Sequence, residues 1–374
     1  MHYFEFATKD TTLYEISQSL NSGLDEILEI KKDMNAEGDV IYVSRALIKF
    51  DLTYVSKSIS SGLIPSSSNF PKFYLNLYDA NSRELNVAQT LYGYPVSQSW
   101  DMGSGRSDST PIIEDGASWK YKDNNDDKTL WANVTGSGGA WYSGSGYEAS
   151  QSFTHEPADL RMDVTDITWK WLHSTVPNEG FMLKRSGSIG NASSLVEEGN
   201  TTRYGHFSFF SRETHTIYPP KLEVVWDDSK WATGSLSALS SANLEDVNLY
   251  MRGLRPKYKE SSKIKFRVVG RERFPERTYS ATNQYQTGYN TVKYLPSGST
   301  YYQIKDAYTE DVLVPFGSGS VVSCDSTGNY FNLWMNGLQS ERFYRIEYKI
   351  VSGSGTAGET VQYFDEKHSF KVVR

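Results

Sequence analysis

The stretch Val40-Ile41-Tyr42-Val43-Ser44-Arg45-Ala46-Leu47-Ile48-Lys49-Phe50-Asp51-Leu52 alternates in side-chain character with a period of two. Val40, Tyr42, Ser44, Ala46, Ile48, Phe50 and Leu52 share one face, and Arg45, Lys49 and Asp51 fall on the other, as in a half-buried strand. Shorter runs repeat the pattern: Phe73, Leu75 and Leu77; Phe207 and Phe209; Leu222, Val224 and Trp226. Between them lie turn-forming clusters such as Gly103-Ser104-Gly105 and Asp123-Asn124-Asn125-Asp126-Asp127. Short strands separated by turn chemistry predict an all-β sandwich or barrel. The region from Gly103 to Ser150 reads as long loops, and such loops commonly carry function.

One segment has another period. Asp163 can cap a helix, and Val164, Ile167, Trp171 and Leu172 then fall on one face, which predicts two or three helical turns over Asp163–His173. Trp169 lies off that stripe and is expected under a loop. The small-residue run Gly234-Ser235-Leu236-Ser237-Ala238-Leu239-Ser240-Ser241 follows the strand ending at Trp226 and reads as a linker. The expected organisation is therefore residues 1–228, a linker over 229–246, and residues 247–374. In the last part alternation resumes in Ile264, Phe266 and Val268, and again in Tyr344, Ile346, Tyr348 and Ile350. About seven strands there suit a smaller immunoglobulin- or fibronectin-like sandwich.

Composition narrows the classes. Aromatic residues make up 14% of the 374 residues and charged residues 22%, enough apolar bulk for true cores and too much for a disordered chain. Net charge is −7, from 38 basic and 45 acidic residues, which argues against general affinity for nucleic acid or anionic membranes, although a local basic patch stays possible. No run approaches ~18 apolar residues, so no membrane-spanning helix is expected. The start, Met1-His2-Tyr3-Phe4-Glu5-Phe6, lacks a basic and then apolar leader, so no secretory signal is expected. Cys324 is the one cysteine, so no internal disulfide or Cys-rich zinc site can form.

Candidate chemistry is sparse. The six histidines form no ligand array, and His206 and His215, nine apart, do not define a metal site. The Asp123–Asp127 run begins like a calcium loop but has Lys128 and Val134 where Gly and Glu are required. No phosphate loop, dinucleotide fingerprint or nucleophile elbow is present. Glu114, Asp115, Glu148, Glu156 and Asp159 leave a glycosidase pair open without defining one. No catalytic residue, metal or cofactor is expected. Trp100, Trp119, Trp131, Trp141 and Tyr142 fall on or beside polar loops. They either plug the ends of a sandwich, because Trp buries a large area, or present rings to sugars or partner proteins.

An ordered series of pieces resembles a known family. Ala7-Thr8-Lys9-Asp10-Thr11-Thr12, Asn21-Ser22-Gly23, Leu28-Glu29-Ile30 and Ser44 to Leu52 come first. Leu75, Asp163-Val164-Thr165-Asp166-Ile167 with Trp171, Gly180-Phe181, Phe210-Ser211 and Pro220-Lys221-Leu222-Glu223-Val224 follow. Residues 1 to 228 thus resemble DNRLRE-type domains, jelly-roll sandwiches related to carbohydrate-binding modules. With Tyr92-Gly93-Tyr94-Pro95-Val96-Ser97 and the second β domain, the arrangement resembles virion structural proteins of tailed bacteriophages, particularly myophages. That resemblance implies a non-enzymatic tail, neck or baseplate component, made in the host cytoplasm and assembled into the virion. Its implied partners are other virion proteins, in a homo-oligomer or symmetric array, with host-surface glycan as the alternative ligand and neither nucleic acid nor membrane.

Overall fold

The computed structural model describes the chain outside residues 36–40, 68–70, 126–127, 134–136, 155–158, 186–195, 200–201, 240–243, 275–291 and 354–358. Two compact units result: Phe4–Val224, and Val225–Arg374 together with Met1–Tyr3. Both are built of strands, as the alternation predicts.

In the first part of the chain the elements are β1 (His2–Tyr14), β2 (Ile27–Met34), β3 (Ile41–Phe50), α1 (Thr53–Ser60), β4 (Lys72–Leu77) and β5 (Gln89–Pro95). Next come β6 (Tyr121–Asp123), β7 (Thr129–Leu130), β8 (Ala149–Phe153), β9 (Leu160–Asp163), α2 (Thr165–Leu172) and β10 (Phe181–Arg185). A four-residue helix α3 (Val196–Gly199), β11 (Gly205–Phe210) and β12 (Lys221–Val225) complete it. Strands pair in the order β8-β5-β10-β3-β1-β12-β4-β9, with β2 joining β3 to β11 and with β6 and β7 as a separate ribbon. Neighbours so far apart in sequence are the crossovers of a jelly-roll-like all-β fold.

The central position of β3 explains a departure from the alternation. Ala46 lies opposite Thr12 of β1 and opposite Leu183 of β10. Side chains cover both faces, so Ala46, Leu47, Ile48 and Phe50 are all fully buried and Arg45 is only 3% exposed. Of the expected polar face only Arg45 is interior; Lys49 is half-buried and Asp51 exposed. At the start of β10, Gly180 has φ +91° and its backbone passes so close to β3 that a Cβ would lie 2.4 Å from the Ile48 carbonyl oxygen. Only glycine meets both demands.

The expected helix over 163–173 is α2. Asp163 sits just outside it and accepts the Thr165 N–H at 3.0 Å, while Ile167 and Trp171 are buried and the Trp171 ring lies 4.6 Å from Phe181. Trp169 packs edge-on against Phe73 at 6.0 Å and stacks on His173 at 5.0 Å instead of sitting under a loop. The helix α1 was not expected, although Asp51 makes the same turn there, accepting the Thr53 N–H at 2.9 Å.

The second unit holds β13 (Ser237–Ala238), β14 (Val247–Arg252), β15 (Lys257–Lys259), β16 (Lys263–Glu272), β17 (Lys293–Tyr294) and β18 (Thr300–Asp306). It ends with β19 (Val312–Val314), β20 (Ser323–Asp325), β21 (Gly328–Trp334), β22 (Phe343–Ser352) and β23 (Thr360–Val373). One sheet runs β13-β17-β16-β21-β20 with β14 on β16, and the other runs β15-β23-β22-β18-β19. Aromatic rings fill the core: Tyr302 stacks on Phe331 at 4.0 Å, and Phe266 lies 5.2 Å from Phe331 and 5.4 Å from Phe370. Among the described residues of 247–374 there are ten strands where about seven were expected, because the pieces of two or three residues are too short to show alternation.

The expected linker over 229–246 is a correction. Trp231 bridges to Cys324, the Cys324 N–H donates to the Lys230 carbonyl at 2.9 Å, and β13 pairs with β17. Leu239 is buried. These residues complete the second unit's ladders, and two apolar anchors in a small polar run are enough to hold them there. The division itself falls at Val224/Val225, and Met1–Tyr3 belong with the second unit.

Candidate functional site

The loop tryptophans are the first place to look. Trp100, Trp119 and Trp131 are buried together with Leu13, Val43, Leu47, Val96, Ala117, Ala140 and Met182. The Trp131 indole N–H donates to the Ser118 carbonyl at 2.9 Å and that of Trp100 to the Glu179 carbonyl at 2.8 Å. With all three rings buried and the Trp100 and Trp131 donors used, they take the plugging reading, and their candidate role as partner or glycan contacts is corrected. The reason is local: among its described residues the connection between β5 and β8 holds only a two-stranded ribbon, so its stability has to come from large side chains. Trp141 is half-buried against the same cluster. Tyr142 is half-buried too and stacks on Tyr147, with centroids 5.8 Å apart and planes at 30°. The Lys170 ammonium stands 4.2 Å from the Tyr147 ring centre.

Beneath Trp119 and Trp141 lies a buried charge cluster with no evident sequence signal. The Arg45 guanidinium is 4.6 Å from the Trp119 ring centre and 5.2 Å from that of Trp141. It donates to both Glu198 oxygens, Nε to Oε1 at 3.2 Å and an Nη to Oε2 at 2.7 Å, and also to the Gly138 carbonyl. Lys184 Nζ is 3.4 Å from Glu198 Oε2. Burial alone would raise the Glu198 carboxyl, but Arg45 and Lys184 outweigh it and hold it below the usual carboxylate range. Planar fork-to-carboxylate pairing with ring stacking is what arginine does and lysine cannot.

A cleft of about 270 Å³ opens elsewhere on the first unit, lined by Tyr14, Asp25, Glu26, Glu29, Arg83 and Ser208 among others. Tyr14 Oη donates to Glu29 Oε2 at 3.0 Å, and His206 Nε2 lies 3.0 Å from Glu29 Oε1. Burial opposes ionisation of Glu29, yet the His206 and Tyr14 contacts prevail and lower it. Burial raises Asp25, although the Ser107 N–H at 3.0 Å partly offsets that. Ser208 Oγ also reaches His206 Nε2, at 3.2 Å. A serine hydrolase relay needs Ser and acid on different imidazole nitrogens. Here both contacts fall on one, which makes a staple between strands. The cleft can accept hydroxyl donors and cations.

The other sequence candidates are engaged structurally. Glu148 accepts the Tyr94 hydroxyl at 2.9 Å, Asp115 accepts the Ser104 hydroxyl at 2.5 Å, and Glu114 accepts the Ser19 hydroxyl at 2.8 Å. Asp159 accepts the Asp79 N–H at 2.8 Å. Glu156, and Asp126 and Asp127 of the acidic run, lie outside the described residues. Cys324 is buried and its thiol is pushed up to about 11, by burial first and then by Asp325. Among the described residues no group of three or more His, Cys, Asp or Glu side chains is placed to hold a metal ion, and no helix is long and apolar enough to cross a membrane.

No protein-family model matches the chain, and no curated protein matches it. Among solved structures it is similar to a DUF4785 family protein from Legionella pneumophila, 8% identical over 100% of this chain, with a TM-score of 0.19. The chain spans 64% of the length of that protein. At that score the likeness carries neither fold nor role to this chain.

Proposed function

We propose that this protein is a non-enzymatic structural component of a tailed-bacteriophage particle, in the tail, neck or baseplate, working through protein–protein contacts. The assignment to a phage comes from the sequence resemblance. The structural observation that supports a contact role is the stapling of the long connection after β5. Asn21, fully buried, donates its amide N–H groups to the Met102 and Ala117 carbonyls, both at 2.8 Å. Its amide oxygen accepts the Gly105 N–H at 2.8 Å and the Gly23 N–H at 3.1 Å. One side chain thereby uses all four of its hydrogen-bonding positions to fix a loop. A loop held in one shape meets a partner at little ordering cost. Mass spectrometry and cryo-electron microscopy of purified particles test the proposal. A fixed copy number with matching density supports it, and particles without the chain overturn it.

Adhesion to host-surface glycans is the second reading, favoured by the half-buried Tyr142–Tyr147 pair beside Lys170. Stacked rings next to a hydrogen-bond donor suit a sugar face. Calorimetric titration with host glycans tests it: Tyr142→Ala should abolish binding, and the absence of binding by the unaltered protein removes the reading.

A further inference from the structure

The two units carry opposite charge. Phe4–Val224 contains 29 acidic and 19 basic residues, net −10, while residues 225–374 contain 16 acidic and 19 basic, net +3, and residues 1–3 are uncharged. The basic excess is local, with nine basic and two acidic residues between Arg252 and Arg273. Lys263, Lys265, Arg267 and Arg271 occupy alternate positions of β16 and so share one face of its sheet. Arg252 of β14 stands directly opposite Arg267.

Like charges directly opposed across a sheet are destabilising. Asp325 relieves part of this, accepting two hydrogen bonds from Arg267 at 3.0 and 2.9 Å and one from Lys265 at 2.8 Å. Arg252, Lys263 and Arg271 are exposed and have no carboxylate partner among the described residues. Aromatic rings floor the same face: Tyr330 lies 3.7 Å from Lys265 Nζ and Trp334 5.2 Å from Lys263 Nζ. Tyr250, 42% exposed, shares the face with Arg252. The face thus combines aromatic rings and arginines, which are enriched in docking surfaces, with a positive charge that can select and steer an acidic partner. On the first unit, the cleft gathers three carboxylates, Asp25, Glu26 and Glu29, beside one guanidinium, Arg83, with His206 3.0 Å from Glu29 and His215 3.6 Å from Glu26, which leaves an acidic excess for an incoming cation.

We propose that the basic face of β14 and β16 docks onto the acidic first unit of a second copy of this chain, with the Asp25–Glu29 cleft as its receptor. The contact rests on the assembly reading above and names the surfaces that make it. Two different patches on one chain meet head to tail, and such contacts close into rings or run on as filaments.

Sedimentation velocity of the full chain tests this. Self-association is expected at about 0.1 M salt, weakening at least about tenfold at about 1 M, where the screening length falls from ~10 Å to ~3 Å. The double variant Arg252→Glu with Arg271→Glu should be monomeric, and so should Glu26→Lys, each with an unchanged circular dichroism spectrum. Mixed one to one, the two variants hold one intact face and one intact cleft between them and should stop at dimers. Association that ignores salt and both reversals overturns the contact and leaves the assembly reading standing. A monomer under all these conditions also overturns it, and the particle experiment then judges the assembly reading separately. Duplex DNA bound by monomeric protein, and lost in the double arginine variant, overturns it in favour of a nucleic-acid partner.

Discussion

Arg45 belongs, by alternation, with Lys49 and Asp51 on a solvated strand face, and it lies instead in the interior, bonded to Glu198 between two indoles. A buried pair of this kind is weak proof of stability, but breaking it leaves an unpaired buried charge. Glu198→Gln is expected to destabilise the protein by about 3–5 kcal/mol in urea titration. The pH dependence follows from the depressed Glu198 carboxyl. Its contribution is complete above the unfolded value of about 4.3 and is lost as pH falls through the lower folded value. The variant should lack that acid loss. Asp10 has the opposite sign. Burial, partly offset by the Arg212 N–H that it accepts, raises it from 3.8 to about 7. The folded state therefore holds a proton that the unfolded state releases, and stability should fall as pH rises from about 4 to about 7. Asp10→Asn, which keeps the acceptor oxygen, should flatten that slope. An unchanged slope would show that another group sets it.

At the scale of elements, one signal occurs twice in the sequence and stands clear of a strand pattern only once. Asp163-Val164-Thr165 and Asp51-Leu52-Thr53 each turn the chain into a helix through an Asp side chain and the Thr N–H two residues on. The second is masked because Leu52 also extends the alternation of β3, and a strand pattern running into a cap hides the cap. The tryptophans are the reverse case: residue type alone does not separate a ring that plugs from a ring that binds, since both roles use the same large apolar area. Trp131→Ala is expected to cost about 3–5 kcal/mol. It should also raise amide hydrogen exchange across the connection around Ser118–Asp123, because the indole N–H that holds Ser118 goes with the ring. Exchange confined to residue 131 and its neighbours would show that the ring is not what fixes that loop.

For the whole molecule, two units with separate aromatic cores should melt as two calorimetric transitions. Phe331→Ala, in the ring stack of the second unit, should lower one transition by roughly 6–20 °C, and Trp131→Ala the other. A single transition moved by either change would make the chain one cooperative body. Charge is also organised at this scale. The chain-wide −7 conceals −10 on one unit and +3 on the other, and net charge, being a sum, erases a dipolar arrangement that association would feel.

Period-two alternation and turn chemistry were enough to settle an all-β protein with a helix near residue 165, because strand period and capping are local properties of a few adjacent residues. Where Arg45 lies, what Trp100, Trp119 and Trp131 touch, and that 229–239 complete a sheet all depend on partners far along the chain. Arg45 meets Glu198 only because β3 is enclosed between β1 and β10, and Trp231 meets Cys324 only because β20 comes alongside it. Burial is decided by what covers a residue, and that cover is assembled only when the chain has folded.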